Sequence, residues 1–476
     1  MKYDRLLCIL TLLFASSLRA ETPHIFFLMA DDLGWGQTSY RGHPILKTPN
    51  LDAMAANGLR FERFYAGNPV CSPTRACVLT GRTNERTGVM SHGYALRLQE
   101  KTIAQALKSA GYTTGHFGKW HLNGFSGPGA PVLKEDPRSP SAFGFDEWVS
   151  ATNFIDMDPY LGRMGVPEQI KGESSQVVVD EAIKFIEKRL PEGKPLFAVL
   201  WFGSPHSPFK ATAEDRAAFE GISDADKSHH AEIMAMDRAI GSLRTKMKDI
   251  GIAANTLMVF NSDNGGLPEV KPSATGGLRG NKGQVYEGGL RVPGIIEWPS
   301  KIKPRITSFP AGVVDLFPTV ADIVGLPKEV FIEPTDGVSL RKLLDGEIGA
   351  RPKPLGFRFG NKIAMTDNRY KIVGKPNRAE GYELYDLETD PTESKDISAQ
   401  QPEVYERLKK QIEAWDASVT ASFNGKDYPE GKVSPPDPRS IPWTTSPMYQ
   451  PWIAKWQDYW AFKSAAARKN KRKKAP

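Results

Sequence analysis

Short, mostly apolar runs at residues 24–30, 113–117, 196–202 and 256–261 alternate with stretches of helical period at 50–56, 102–110, 174–189, 229–248 and 313–324. Runs of this length suit strands buried on both faces, and strand alternating with helix predicts an α/β fold with a largely parallel central sheet covered on each side. Near residue 355 the texture changes. Segments 357–365, 369–373 and 382–387 read as short antiparallel strands, with a helix to follow at 402–415. The expected organisation is a main catalytic domain over 21–350, a small α+β C-terminal subdomain over 351–424, and an irregular arm with a basic tail over 425–476. Within it, the proline- and tryptophan-rich stretch 425–460 is expected to wrap the surface.

The two ends differ from the body. Lys2 and Arg5 precede an apolar run at 6–18, and Ala20 offers a small residue for cleavage. That run is too short to span a bilayer and is flanked as a secretory signal peptide over 1–20, which places the mature chain in the periplasm or outside the cell. The formal charge of +7 does not describe the body either. Between residues 461 and 476 lie Lys463, Arg468, Lys469, Lys471, Arg472, Lys473 and Lys474 with no acid, enough to account for the whole excess. Such a tail is a solvated basic segment, and the chain shows no zinc-finger spacing, helix-turn-helix pattern or aromatic-basic platform, so no nucleic acid is expected as partner.

Each of the four strands runs into polar residues: Asp31-Asp32, Gly118-Lys119-Trp120-His121, Ser204-Pro205-His206-Ser207-Pro208, and Asp263-Asn264-Gly265-Gly266. Ligands of open α/β sheets gather beyond the carboxyl ends of the strands, so these clusters are expected to share one site. Asp31, Asp32, Asp263 and Asn264 are hard oxygen donors that suit calcium or magnesium rather than zinc. Lys119, His121, His206 and Lys282 supply cations and proton donors for an anionic ester.

The stretch Cys71-Ser72-Pro73-Thr74-Arg75 adds a nucleophile. Ser72 is a good helix cap and Pro73 suits a first turn, so residue 71 is expected just outside a helix N-terminus, where an anion is stabilised. Arg75 falls about one turn later and is expected to reach back. Cys77, six residues on, would lie about 9 Å away by helical rise, too far for a disulfide.

This pentapeptide resembles the signature at which type I sulfatases convert a cysteine into formylglycine. The blocks from Pro23 to Gly36 and from Gly111 to His121 are similar to that family's first strand with its metal pair and to its second signature, and Glu287-Gly288-Gly289 after Lys282 extends the likeness. It looks closest to the arylsulfatase A and N-acetylgalactosamine-6-sulfatase kind. Phe117 stands where the family usually has a smaller residue.

The resemblance implies an alkaline-phosphatase-like α/β/α sandwich and a sulfuric ester hydrolase. It implies formylglycine at Cys71, made by a maturation enzyme, anchored by Arg75 and Lys119 and contacted by His121. His121 would also take a proton from the sulfated intermediate as sulfate is expelled. His206 would protonate the leaving alkoxide, His206 and Lys282 would contact sulfate, and one calcium ion would be held by Asp31, Asp32, Asp263, Asn264 and the modified Cys71. Asn153 lies where related enzymes carry substrate-contacting residues. A sulfated carbohydrate is the expected substrate. The alternatives are a formylglycine-dependent phosphonate or phosphodiester hydrolase, and a non-catalytic binder of sulfated glycans.

Overall fold

The computed structural model describes residues 22–375 and 381–456. The signal segment expected at 1–20, the basic tail and the last residues of the arm lie outside the described residues. The central sheet has ten strands. From one edge these are Arg305–Thr307, Leu59–Phe61, Gly294–Glu297, Thr256–Ser262, His24–Ala30, Leu196–Trp201, Thr113–Lys119, Glu147–Ala151, Tyr160–Arg163 and Val166–Gln169. The middle five are parallel to one another. The flanking strands return antiparallel, except that Arg305–Thr307 runs parallel to Leu59–Phe61.

The strand His24–Ala30 shows why the sheet is covered on both sides. Ile25, Phe27 and Met29 enter one buried apolar cluster, and Phe26, Leu28 and Ala30 enter another. Side chains alternate between faces along a strand, so a run without polar interruption needs a core on each. On one face pack Pro49–Asn57, Ser174–Arg189 and Asp224–Asp249. On the other lie Cys71–Thr80, Ile103–Ser109 and Leu316–Val324, together with apolar residues of a four-stranded antiparallel sheet nearer the C-terminus. The architecture is the α/β/α sandwich expected from the sequence. Among the described residues no helix is long and apolar enough to cross a membrane.

Three local expectations need correction. The segment 357–365 is a hairpin rather than one strand: Leu355–Phe359 pairs with Lys362–Asp367 across Gly360 and Asn361. Gly360 has φ +60, which a glycine accepts at a tight turn. The long helix begins at Asp224, capped by the Ser223 hydroxyl, because a polar first turn hides its start from apolar periodicity. The C-terminal helix continues to Phe423 rather than stopping at Trp415.

Candidate active site

Parallel strands bring their carboxyl ends to one edge of the sheet, and backbone bonds lock the emerging segments together. Asp31 N–H donates to the Ser204 carbonyl at 3.0 Å, and Asp263 N–H donates to the Ala30 carbonyl at 3.1 Å. Thus Asp31, Asp32, Lys119, His121, His206, Asp263 and Asn264 leave neighbouring strands within reach of one another. Asp32 and His121 are not glycine yet have φ +70 and +57, an uncommon conformation that concentrates at functional sites. Gly118 has φ +98, and a Cβ there would meet the Trp201 carbonyl oxygen at 2.0 Å. Only glycine lets the strand carry Lys119 this close to its neighbour.

Cys71 is the first residue of the helix Cys71–Thr80, and Val70 takes the cap position. Ser72 does not cap: its hydroxyl accepts the N–H of Gly93 at 2.9 Å instead. The Cys71 sulfur and one carboxylate oxygen each of Asp31 and Asp263 lie within 4.8 Å of one another. Asp31, Asp32 and His206 form a second such group, in which His206 Nε2 is 3.8 Å from Asp32. Cys77 is buried and free, as is Cys71.

Three cations face three carboxylates. Lys119 Nζ donates to Asp31 at 2.5 Å, Lys282 Nζ to Asp32 at 2.7 Å, and Arg75 Nη2 to Asp263 at 2.7 Å. Arg75 thus commits Nη2 to Asp263, while its buried Nε makes no hydrogen bond. Nη1 bonds the Lys119 carbonyl at 3.2 Å and the guanidinium lies over the Trp201 ring, which fixes Arg75 against Asp263. Lys282 comes from a loop pinned at both ends. Its N–H donates to the Gly266 carbonyl, and downstream Glu287 is held by Tyr65 and Lys371, with Lys371 also paired to Glu393.

Burial opposes charge throughout, and neighbours decide what survives. Burial alone would raise the Asp32 carboxyl, but Lys282 and His206 hold it far below the usual range. Asp263 is pushed up to about 7 by burial and by the charge of Asp31. Burial also lowers His206, to about 3, with Lys282 and Lys119 adding to the effect. His121 is driven well below its ordinary value by burial, Lys119 and Arg75, and neither of its ring nitrogens makes a hydrogen bond.

Two buried oxygens, Asp31 Oδ1 and Asn264 Oδ1, accept no hydrogen bond. With Asp32 and Asp263 they make an all-oxygen donor set of the kind hard divalent cations take, so the residues present fit calcium or magnesium.

His206 is set by its own loop. Its Nδ1 donates to the Ser207 carbonyl at 2.5 Å, which leaves Nε2 facing the site, and its ring stacks on Phe154 with centroids 4.7 Å apart. Asn153 supports that arrangement. Its amide nitrogen donates to the Gly127 carbonyl at 2.6 Å and its oxygen accepts the Phe154 N–H at 2.8 Å, so both ends of the amide are engaged in shaping the loop. One neighbour was missed in the sequence: His92 Nδ1 lies 3.2 Å from the Cys71 sulfur. Its only signal is a histidine beside a glycine in a loop, which marks nothing by itself.

Comparison with known proteins agrees with this geometry. The Sulfatase family model matches residues 23–326, and the N-sulphoglucosamine sulphohydrolase C-terminal model matches residues 280–418. The chain is 33% identical to human arylsulfatase A over 380 residues, covering 71% of each protein. It is likewise 33% identical to N-acetylgalactosamine-6-sulfatase of Sus scrofa over 392 residues, covering 74% of this chain and 71% of that protein. Among solved structures, Ps i-CgsB in complex with k-i-k-neocarrahexaose superposes with a TM-score of 0.73 at 26% identity, over 83% of this chain and 92% of that one. The phosphonate monoester hydrolase of Agrobacterium radiobacter, at 20% identity and a TM-score of 0.61 over 83% of this chain and 96% of that one, shares the fold alone.

Proposed function

This chain belongs to the sulfatase family, and from that membership we propose that it removes sulfate from a sulfated carbohydrate, with formylglycine made from Cys71 and one calcium ion at its centre. The observation that carries the reading is the Cys71 sulfur, at the start of a helix and grouped within 4.8 Å with Asp31 and Asp263. That sulfur stands in for the oxygens of an aldehyde hydrate. The hydrate would supply the oxygen that attacks sulfur. Asp31, Asp32, Asp263, Asn264 and residue 71 would hold calcium, whose charge favours ionisation of an adjacent hydroxyl and neutralises a sulfate oxygen.

The chain's own side chains do the remaining work. Lys119 and Lys282 bring cations to the carboxylate cluster, where they would offset the charge of a sulfate ester as its sulfur–oxygen bond loosens. Arg75 orients Asp263 through a buried bond and opposes the upward push that burial and Asp31 give its carboxyl. His206, with Nδ1 committed to the Ser207 carbonyl, presents Nε2 to the leaving oxygen. Burial, with a smaller part from Lys282 and Lys119, lowers its basicity, and an incoming sulfate would offset the lysines' part of that effect. Asn153 contributes by holding Phe154 against His206.

A carbohydrate as the sulfate carrier is supported by the relatives named for N-acetylgalactosamine-6-sulfate chemistry and by a structural neighbour bound to neocarrahexaose. The maturation enzyme that would oxidise Cys71 and export through the segment 1–20 complete the reading. Rates on an aryl sulfate and an aryl phosphate diester, followed by a panel of sulfated monosaccharides, test it. The sulfate ester and at least one sulfated sugar should be turned over. Preference for the phosphate diester would favour the phosphohydrolase alternative, and glycan binding with no turnover by fully matured protein would favour the binder.

A further inference from the structure

Lys282 reaches Asp32 from a loop with no strand or helix of its own, so its place depends on what the loop rests on. The loop folds back onto the short helical turn Glu287–Leu290. Gly288 N–H donates to the Arg279 carbonyl at 2.7 Å, and a Cβ at Gly288 or Gly289 would run into the Gly280 or Gln284 carbonyl oxygen. On its other side the turn leans on the segment that follows Asn264, where Gly265 N–H donates to the Gly289 carbonyl at 2.9 Å. How this turn sits therefore decides where the loop, and Lys282 with it, can stand.

The turn is gripped from the C-terminal sheet. Glu287 accepts a bond from Lys371 Nζ at 3.0 Å, and its N–H donates to the Glu393 carboxylate at 2.6 Å. Lys371, on the strand Tyr370–Gly374, also pairs with Glu393 at 2.9 Å. One ammonium thus joins the carboxylate of Glu287 to the carboxylate that holds its backbone. All three side chains are fully buried, where charge-assisted bonds are strong and water cannot replace a missing partner. The same segment holds the loop a second time, since Arg279 Nη1 donates to the Glu393 carbonyl at 2.9 Å.

Resting on the reading of Lys282 as a sulfate contact, we infer that Lys371 is a positioning residue for sulfate recognition, acting from the C-terminal sheet through Glu287 and its turn on the place of the Lys282 ammonium. Without the Lys371 charge, Glu287 and Glu393 are left as two buried acids on one turn with no cation between them, and they repel. The turn then tilts about its contact with Gly265 and carries the loop of Lys282 away from its place beside Asp32.

The test is a double-mutant cycle on full-length protein coexpressed with a formylglycine-generating enzyme, as wild type, K371M, K282M and K371M/K282M. Aldehyde content of the peptide 69–75 and the thermal midpoint are measured for each. Values of kcat and KM on an aryl sulfate are expressed per aldehyde, and inhibition by inorganic sulfate reads anion binding directly. K371M alone should lower kcat/KM by about 10–100-fold, the scale of a misplaced contact, and should weaken sulfate inhibition as K282M does. In the K282M background the same change should cost less than about 2-fold, because a lysine that is absent cannot be misplaced. Should K371M fail to fold, E393Q runs the same cycle with a smaller loss, since its amide oxygen still accepts the Glu287 N–H while one charge is gone. Equal losses in the two backgrounds, or wild-type kcat/KM in both K371M and E393Q, overturn the inference while an impaired K282M leaves the sulfate contact in place. A fully active K282M removes the contact and the inference together.

Discussion

Lys282 separates charge neutralisation from mere proximity. Its ammonium bonds Asp32 at 2.7 Å, and despite a burial cost in the other direction the Asp32 and Asp31 carboxylates hold it far above its usual basicity. It is therefore a permanent cation at the site, and Lys282→Met should lower kcat/KM on an aryl sulfate by about 10²–10³, the range found when one transition-state donor is removed. Steady-state kinetics at matched aldehyde content check this. The residues at strand ends were legible because an apolar run breaking into paired acids, or into lysine and histidine, is a local signal. The partner of Arg75 was not: helical spacing pointed it toward Cys71, but a long side chain follows the strongest charge, and Asp263 arrives from a strand 188 residues away. Ser72 misled for a similar reason, since its hydroxyl found a loop amide that no short window contains.

At the scale of elements, the short turn Asn84–Thr87 joins the nucleophile's helix to the C-terminal sheet through Glu85, which pairs with Arg358 at 2.9 Å. Burial still wins over that pairing and raises the Glu85 carboxyl from its ordinary 4.5 to about 7. The folded protein then binds more protons than the unfolded chain between these values. This group's contribution is fully favourable below about pH 4.5 and is lost as pH rises toward 7. Denaturant unfolding at several pH values should show Glu85→Gln gaining about 1–3 kcal/mol relative to wild type between pH 4.5 and 7.5, since glutamine pays no such cost. A constant difference across that window would refute the assignment. Strand and helix identities were readable from period and run length. The hairpin at Leu355–Phe359 and Lys362–Asp367 was not, because its turn interrupts the apolar pattern too briefly to register.

At the scale of the whole molecule, the described part of the arm packs onto the catalytic domain. Trp443, Tyr449 and Trp456 from the arm bury against Phe125, Ala130 and Leu133, and the Trp443 indole donates to the Pro128 carbonyl at 2.7 Å. The arm strand Ile441–Pro442 pairs with Phe125–Ser126, so it braces the loops that follow Lys119 and His121. The sequence marked this stretch as irregular and wrapped, but composition could not show that its aromatics form a core of their own. Trp443→Ala should cost about 3–5 kcal/mol in denaturant unfolding, the range for deleting a large buried aromatic. An unaffected midpoint would mean that the arm is ornamental. The central claim is chemical rather than architectural, and mass spectrometry of the peptide 69–75 from active protein addresses it most directly. The expected result is the mass of formylglycine at position 71, with activity per molecule scaling with that fraction. Full activity from a preparation that carries only an unmodified cysteine there would contradict it.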